Sequence, residues 1–148
     1  MDWLCKKFDD LTPRELYSIL QLRNEVFVVE QDCVFQDADN KDQYCYHLMG
    51  WQENDLVAYS RILPPEIFYS ESSIGRIVTS PNARGNGIGR ELVKQSIEEL
   101  YILFGKIPIK IGAQMYLQKF YESFGFKQTS DIYLEDDIPH IEMLLQMQ

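Results

Sequence analysis

Three alternating glycines with an arginine on either side occupy residues 84–90, and these are the residue types best suited to chemistry in this sequence. The run follows Ser80-Pro81-Asn82, which ends a predicted strand, and it leads into apolar residues at helical spacing. It therefore forms the turn that begins a helix. A helix N-terminus presents unpaired backbone N–H groups and the positive end of the helix dipole, and both bind anions. Glycine also lets a diphosphate approach these amides without meeting a Cβ atom. We therefore predict a diphosphate-binding loop formed by Arg84, Gly85, Asn86, Gly87, Ile88, Gly89 and Arg90.

Two other nucleotide-binding loops fit this segment poorly. A P-loop ends in Gly-Lys-Ser or Gly-Lys-Thr, and neither tripeptide stands here. A Rossmann fingerprint has glycines at its first, third and sixth positions, whereas these stand at the first, third and fifth. It also has an acidic residue about 20 residues later, where this chain has Gly105 and Lys106. A turn in which the glycines serve geometry alone remains an alternative.

The distribution of charge also favours a phosphate-bearing small ligand. The chain has 14 basic and 23 acidic residues, a net charge of −9, which argues against a nucleic-acid partner because such a protein needs a basic face. Between Arg76 and Lys94, however, four basic residues accompany a single acidic one. This local excess of positive charge suits a phosphate group, although chance clustering on a solvated face is the alternative.

Several other classes of protein are disfavoured by the sequence. Two histidines and three scattered cysteines give no metal-ligand spacing, and an odd cysteine count fits a disulfide framework poorly. The longest apolar runs are too short to cross a bilayer, and the first residues lack the order of a signal peptide. We therefore expect a reduced, cytoplasmic protein with no metal and no membrane partner.

The predicted elements alternate irregularly, in the order β-α-β-β-β-α-β-α-β-β, which indicates a mixed α/β layer architecture. The first helix starts at the capping sequence Thr12-Pro13-Arg14-Glu15 and continues to about Phe27. A long polar loop over 30–42 follows, and loops of this length are usually functional. Strands are predicted at 3–8, 44–51, 56–63, 73–79, 107–112, 126–134 and 141–147, and the later helices at 88–104 and 115–124, with Gly125 capping the last one.

Two sequence motifs, and the order in which they occur along the chain, resemble those of the GCN5-related N-acetyltransferase (GNAT) superfamily. The segment 84–89 matches its Arg/Gln-x-x-Gly-x-Gly/Ala signature, and Phe120-Tyr121-Glu122-Ser123-Phe124-Gly125-Phe126 resembles its second hallmark at the end of the last core helix. Further segments resemble the ElaA-type acetyltransferases over nearly the whole chain. They include 22–33, 36–39, 58–63, 74–78, 112–114, 118–121 and 135–141.

The resemblance implies a single GNAT domain over residues 1–148. Its fold is α/β (α+β), with a mixed, mostly antiparallel sheet of about seven strands flanked by helices and splayed between strands 4 and 5. The implied reaction is direct transfer of an acetyl group from acetyl-CoA, as co-substrate, to a primary amine in a ternary complex, by a monomer or homodimer. A non-catalytic CoA-binding sensor or interaction module of the same fold is the alternative.

The resemblance also assigns roles to individual residues. Main-chain groups of Ile77, Val78 and Thr79 would bind the pantetheine arm, although ordinary sheet pairing is the alternative. Tyr121 would protonate the departing thiolate, or else merely pack on its helix. Gln114 would contact the CoA arm or cap a helix.

The base that deprotonates the amine has four candidates, of which Glu30 and His140 are preferred. The other two are Asp39 and His47, and all four have an alternative as solvated acids or structural histidines. Three arginines would border the cleft, where each binds an acceptor carboxylate or pairs with an acid of the chain. They are Arg23, Arg61 and Arg76.

Overall fold

An eight-stranded sheet extends across the molecule in the computed structural model, which describes residues 1–146. All its pairs are antiparallel except β4–β5, and the order is β1-β2-β3-β4-β5-β8-β6, with β7 also paired to β8. The strands are β1 (Asp2–Lys7), β2 (Tyr46–Gln52), β3 (Asp55–Leu63), β4 (Ser72–Thr79), β5 (Ile109–Gln114), β6 (Lys127–Gln128), β7 (Tyr133–Glu135) and β8 (Ile138–Leu145). The predicted fold class is confirmed.

Helices cover both faces of this sheet because neighbouring strand residues point to opposite sides. Leu48 packs into the core shared with the second and third helices, whereas Met49 packs into a smaller core beneath the first helix. The α-helices are α1 (Pro13–Arg23), α2 (Ile88–Phe104) and α3 (Gln118–Glu122). Short 3-10 turns lie at Phe8–Asp10, Asp42–Tyr44, Pro81–Ala83 and Met115–Leu117.

The first helix begins as predicted but ends differently. Thr12 Oγ1 accepts the N–H of Glu15, whose carboxylate accepts the N–H of Thr12, so the capping box is confirmed. The α-helix ends at Arg23 and continues as a π-helical turn over Asn24–Glu30, beyond the predicted end at Phe27. The wider turn keeps Val26 buried in the smaller core, and such turns are often found at functional sites.

The two central strands separate soon after they meet. Strand β4 pairs with β5 only at Ser72 and Ser73, where the Ser72 hydroxyl donates to the carbonyl of Pro108 at 2.7 Å. The register between β4 and β3 shifts around Arg76, whose φ of +48° marks a bulge. The predicted splay between strands 4 and 5 is therefore confirmed.

The C-terminal strands differ from the prediction. The prediction of a single strand over 126–134 is wrong. At Ser130 the side-chain hydroxyl, and not a backbone carbonyl, accepts the N–H of Glu142, so the backbone pairing with β8 is interrupted there. Two short strands result, β6 and β7, which raises the count to eight. The last strand begins earlier, at Ile138, and the predicted strand residue Met147 lies outside the described residues. The predicted helix over 115–124 starts as a 3-10 turn and has only one short α-helical segment.

Candidate active site

A cavity of about 500 Å³ opens between the diverging ends of β4 and β5. The π-helical turn, α3 and the β7–β8 turn complete its walls. It brings together nine residues predicted for the site or its border: Glu30, Arg76, Ile77, Val78, Thr79, Arg84, Gln114, Tyr121 and His140. The remainder of the predicted loop, 85–90, lies outside the lining at the start of α2.

The edge of β4 that faces the cavity is open. Val78 pairs with Tyr59 and Thr79 with Ala58, both on the β3 side. On the β5 side, no strand within residues 1–146 pairs with the segment 75–79. Unpaired backbone groups on a strand edge can pair with an extended amide chain. The geometry therefore agrees with the predicted pantetheine contact.

The glycine-rich loop leaves the N-terminus of α2 accessible. Gly85 and Gly87 have φ values of +97° and +73°, a conformation that side chains disfavour, so glycine is required there by the backbone. Gly89 has no such φ, and apart from its chain neighbours and the backbone of its own helix turn no described atom lies within 4 Å of the place where its Cβ would stand. No side chain caps the helix among the described residues. The contacts of the protein therefore do not require glycine at 89.

Both arginines of the loop have protein partners. Arg84 forms a two-pronged ion pair with Glu30, with N–O distances of 2.7 and 2.9 Å, and this contact lowers the pKa of Glu30. Arg90 donates to the Ser123 hydroxyl at 2.9 Å and lies 4.6 Å from the centre of the Phe124 ring. The Arg84 contact is exposed at the cavity mouth and can exchange for a ligand phosphate, whereas Arg90 ties α2 to the segment after α3.

Tyr121 is 6% exposed and lines the cavity. Its ring packs edge-on against Phe120 and Phe126, so the predicted packing role is also observed. Its hydroxyl has no hydrogen-bond partner within residues 1–146. Burial raises the pKa of Tyr121, which keeps the phenol protonated at neutral pH. The Tyr121 hydroxyl is therefore available as a hydrogen-bond donor at the cavity wall.

His140 and Gln114 face each other across β8 and β5. The two residues are partners in the antiparallel register, and both line the cavity. Gln114 makes no side-chain cap to the following turn, so the capping alternative is not observed. His140 Nδ1 lies 2.7 Å from the carbonyl of Ile138, and its Nε2 lies 3.4 Å from a carboxylate oxygen of Glu135.

The other predicted bases lie outside this lining. His47 is fully buried, donates from Nε2 to the carbonyl of Asp42 and accepts the hydroxyl of Tyr59, while burial lowers its pKa. Partial burial raises the pKa of Asp39, but the paired Arg61 guanidinium outweighs it and lowers the value to about 2. Both side chains are occupied by structural contacts.

The three arginines that were candidates for an acceptor carboxylate pair with acids of the chain instead. Arg23 is completely buried and contacts Asp37 at 2.6 Å and Asp42 at 2.9 Å. The remaining contacts are Arg61 with Asp39 and Asp42, and Arg76 with Asp37 and Asp39. This network fixes the long polar loop to α1, β3 and β4. Its sequence signal was the spacing of the three aspartates within one loop.

Sequence reasoning missed the acids of the β7–β8 turn. Glu135 and Asp136 line the cavity, and the turn follows from Asp136 and Asp137, whose φ values of +50° and +63° are typical of a tight two-residue hairpin. The thiol of Cys33 donates to the carbonyl of Asp136 at 3.7 Å, which joins the long loop to this turn. The Asp-Asp pair before His140 was the available signal.

Neither a membrane-spanning helix nor a metal-ligand cluster is present among residues 1–146. No α-helix among them is both long and apolar enough to span a bilayer. No cluster of three or more His, Cys, Asp or Glu side chains suited to a metal ion occurs within residues 1–146.

Comparison with known proteins identifies clear relatives. Residues 10–147 match the family described as "Acetyltransferase (GNAT) domain". Protein ElaA of Escherichia coli is 40% identical over 145 residues, which span 97% of this chain and 95% of ElaA. Its crystal structure superposes with a TM-score of 0.91 at 39% identity, covering 99% of this chain and all of ElaA.

Two further structures share the architecture. A crystal structure of an acyl-CoA N-acyltransferase from Pseudomonas aeruginosa has a TM-score of 0.93 and 44% identity, over 98% of this chain and 99% of that one. An aminoglycoside 6'-N-acetyltransferase complexed with coenzyme A has a TM-score of 0.69 and 18% identity, over 95% of both chains. At that identity the second likeness concerns the fold alone.

Proposed function

Because the chain belongs to the GNAT acetyltransferase family, and within it resembles ElaA over nearly its full length, we propose that it transfers an acetyl group from acetyl-CoA to a primary amine. The observation that carries this proposal is a cavity lined both by the open β4 edge and by Tyr121. The uncapped, glycine-rich start of α2 follows β4 along the chain after the 3-10 turn Pro81–Ala83.

The chain offers separate contacts for the pantetheine arm and for the diphosphate of acetyl-CoA. The main-chain groups of Ile77, Val78 and Thr79 would pair with the amides of the pantetheine arm, and the side chain of Gln114 stands on the opposite wall. The amides of the loop 85–90 would bind the diphosphate at the positive end of the α2 dipole. Arg84 would add its charge once it leaves Glu30.

In the proposed reaction, the amine attacks the thioester carbonyl directly. Tyr121 is the acid, because its phenol is protonated, unpartnered and held against the cavity. His140 is preferred to Glu30 as the base, since Nε2 of its neutral imidazole carries a lone pair within the cavity, next to Glu135. The orientation of the two substrates supplies most of the rate, and no covalent enzyme intermediate is required.

The wider proposal is a single domain over residues 1–148 that acts in the cytoplasm as a monomer or homodimer. Its three cysteines are free, which agrees with a reducing compartment.

Two measurements test the function. Calorimetry with coenzyme A measures binding, and release of free thiol from acetyl-CoA measures turnover with a panel of alkylamines, amino sugars and peptides. We expect both to be positive. Binding without thiol release for any amine would support the non-catalytic module instead, and absence of binding would overturn both proposals.

The role of Tyr121 has its own test in Tyr121→Phe. We expect kcat to fall by about 100-fold, the range of general acid catalysis, while the Kd for coenzyme A changes by less than about twofold. Tyr101→Phe, which removes a hydroxyl from α2 away from the cavity, is the matched control and should leave both constants unchanged. An unchanged kcat in Tyr121→Phe would remove Tyr121 from the mechanism.

A further inference from the structure

The β7–β8 hairpin places three polar side chains next to one another on one face of the sheet. Tyr133 is the register partner of His140, and Glu135 is the partner of Ile138. Because alternate strand residues share a face, Glu135 lies diagonally across from His140. Glu135 and His140 both line the cavity, so the pair faces the space where an acceptor would enter.

The contacts of the His140 ring define which of its nitrogens can take a proton. Its Nδ1 lies 2.7 Å from the carbonyl oxygen of Ile138, and a carbonyl only accepts, so Nδ1 carries the hydrogen. The ring also stacks on Tyr133, with centroids 5.8 Å apart. A neutral His140 therefore directs the lone pair of Nε2 toward Glu135, with the ring held on two sides.

This arrangement leaves two acceptors facing each other without a donor. The Nε2 of neutral His140 and a carboxylate oxygen of Glu135 are 3.4 Å apart. An alkylammonium group has three N–H bonds and can donate to both atoms at once, whereas an alcohol or a neutral arylamine brings no positive charge to the carboxylate. The pair is thus suited to a charged primary amine.

We propose that Glu135 and His140 together bind the ammonium group of the acceptor, and that His140 removes its first proton. The acceptor is accordingly an alkyl primary amine that is charged at neutral pH. This inference rests on the proposed acetyltransfer and assigns to Glu135 the binding of the amine and the orientation of its N–H bond toward Nε2.

The proton balance of the step is complete. One N–H bond of the ammonium breaks, its proton moves to His140 Nε2, and the freed electron pair attacks the thioester carbonyl. Collapse of the tetrahedral intermediate breaks the C–S bond, and Tyr121 protonates the leaving sulfur. The second proton lost by nitrogen restores the phenol, and His140 returns the first proton to solvent. The products are the amide, free coenzyme A and one released proton.

Glu135 is distinguished from the other acids of the cavity by its partner. Glu30 is held by Arg84, and Asp136 makes no ion pair among the described residues. Glu135 contacts His140 and no Lys or Arg within residues 1–146. The other titratable groups near His140 are Tyr133, which stacks on it, Glu142 on its own strand, and the cavity residues Glu30, Cys33, Arg76, Arg84, Tyr116, Tyr121 and Asp136.

The nitrogen NMR spectrum of the two histidines tests the pair without any knowledge of the natural acceptor. The signal of His140 is identified by its loss in His140→Asn. We expect the Nδ1–H tautomer in the neutral ring, and a change at Nε2 on addition of n-butylammonium but not of n-butanol. In Glu135→Gln this response to n-butylammonium should be lost, because the carboxylate that attracts the ammonium group is gone.

Two matched variants complete this experiment. Glu142→Gln removes a carboxylate from the same face of the hairpin, where it contacts Lys110 at 3.5 Å, and should leave the butylammonium response intact. Glu135→Asp keeps the charge and should retain part of that response. An Nε2–H tautomer, or a His140 signal that responds identically to n-butylammonium in wild type and Glu135→Gln, overturns the inference.

Kinetics separate this inference from the proposed function. With the best alkylamine of the panel, Glu135→Gln should raise KM by about tenfold, while KM for aniline stays constant. Failure to bind coenzyme A would overturn acetyltransfer but not the NMR result, whereas normal turnover with no effect of Glu135→Gln would overturn the inference alone.

Discussion

At the scale of a single residue, Gly89 is a position where a substitution should affect ligand binding without disturbing the fold. It stands in the first turn of α2, its backbone does not require glycine, and the space beside it is open. An added methyl group would therefore obstruct only a molecule that approaches the amides from outside. Gly85 and Gly87 cannot provide this separation, because their positive φ values would strain any substituted residue.

We expect Gly89→Ala to stabilise the fold and weaken the ligand. Alanine in a helix should raise the free energy of unfolding by up to about 1 kcal/mol, whereas the Kd for coenzyme A should rise at least about tenfold because the methyl group displaces the diphosphate. Urea unfolding and calorimetry measure the two effects. Gln95→Ala, at a half-buried position on the same helix, is the control. An unchanged Kd would contradict a diphosphate at this loop.

Individual site residues were predictable where their role depends on local sequence. The glycine-rich loop and Tyr121 lie within short motifs, and the structure places both at or beside the cavity. The partners of Glu30 and Arg90 were not predictable, because Arg84 and Ser123 reach them only through packing of distant elements. Which candidate base has a free lone pair also depends on these long-range contacts.

The long loop after the π-helical turn is held by charge at the scale of structural elements. Asp37, Asp39 and Asp42 face arginines from α1, β3 and β4, so the loop is fixed although it has little regular structure. Arg23 is wholly buried, and removing one partner from such a set leaves an uncompensated charge. The loop position therefore depends on the ionisation of its acids.

This dependence gives a pH window for Asp39. Its pKa in the folded protein is about 2, below the value of about 3.9 in an unfolded chain, so its stabilising contribution is complete above pH 4 and is lost as the pH falls toward 2. We expect the free energy of unfolding to fall less steeply between pH 4 and pH 2 in Asp39→Asn than in wild type. Urea titrations at several pH values measure the slopes.

Asp2→Asn is the control for this slope, since Asp2 is exposed and forms no ion pair among the described residues. It should follow the wild-type curve throughout. Equal slopes for Asp39→Asn and wild type would mean that the Arg61 contact does not persist in solution.

Helices and strands were predicted well where the local sequence marks their start. They were predicted poorly where contacts with distant elements determine their bounds. The Thr12 capping box and the α2 periodicity identify two helices from sequence alone. The break between β6 and β7 depends on one hydrogen bond from the backbone of Glu142 to Ser130, which no local pattern reveals. The π-helical turn likewise depends on how Val26 packs against the sheet.

At the scale of the whole molecule, the sheet is interrupted where the ligand is proposed to bind. The segment 75–79 of β4 has a partner on its β3 side and none on its β5 side within residues 1–146. A pantetheine arm in the cavity would complete the hydrogen bonding of this edge.

Hydrogen exchange tests this completion. Saturating coenzyme A should slow exchange of the unprotected amides in 75–79 by at least about tenfold, because they gain an acceptor. Amides of β2, which lie between two strands, should change only as far as global stability changes. A uniform increase in protection over the whole sheet would contradict pairing along β4.

The Ser72–Pro108 hydrogen bond lies at the point where β4 and β5 diverge, so it sets the angle between the two halves of the sheet, β1–β4 and β5–β8. From Ser73 to Thr79 the strand extends about 20 Å, so a rotation of about 5° at this point moves the far end by nearly 2 Å. Tyr121 belongs to one half and the β4 edge to the other, and misplacement by about 1 Å can cost two orders of magnitude in rate. A substitution at Ser72, remote from every reacting atom, would thus lower the rate by displacing the β4 edge relative to Tyr121.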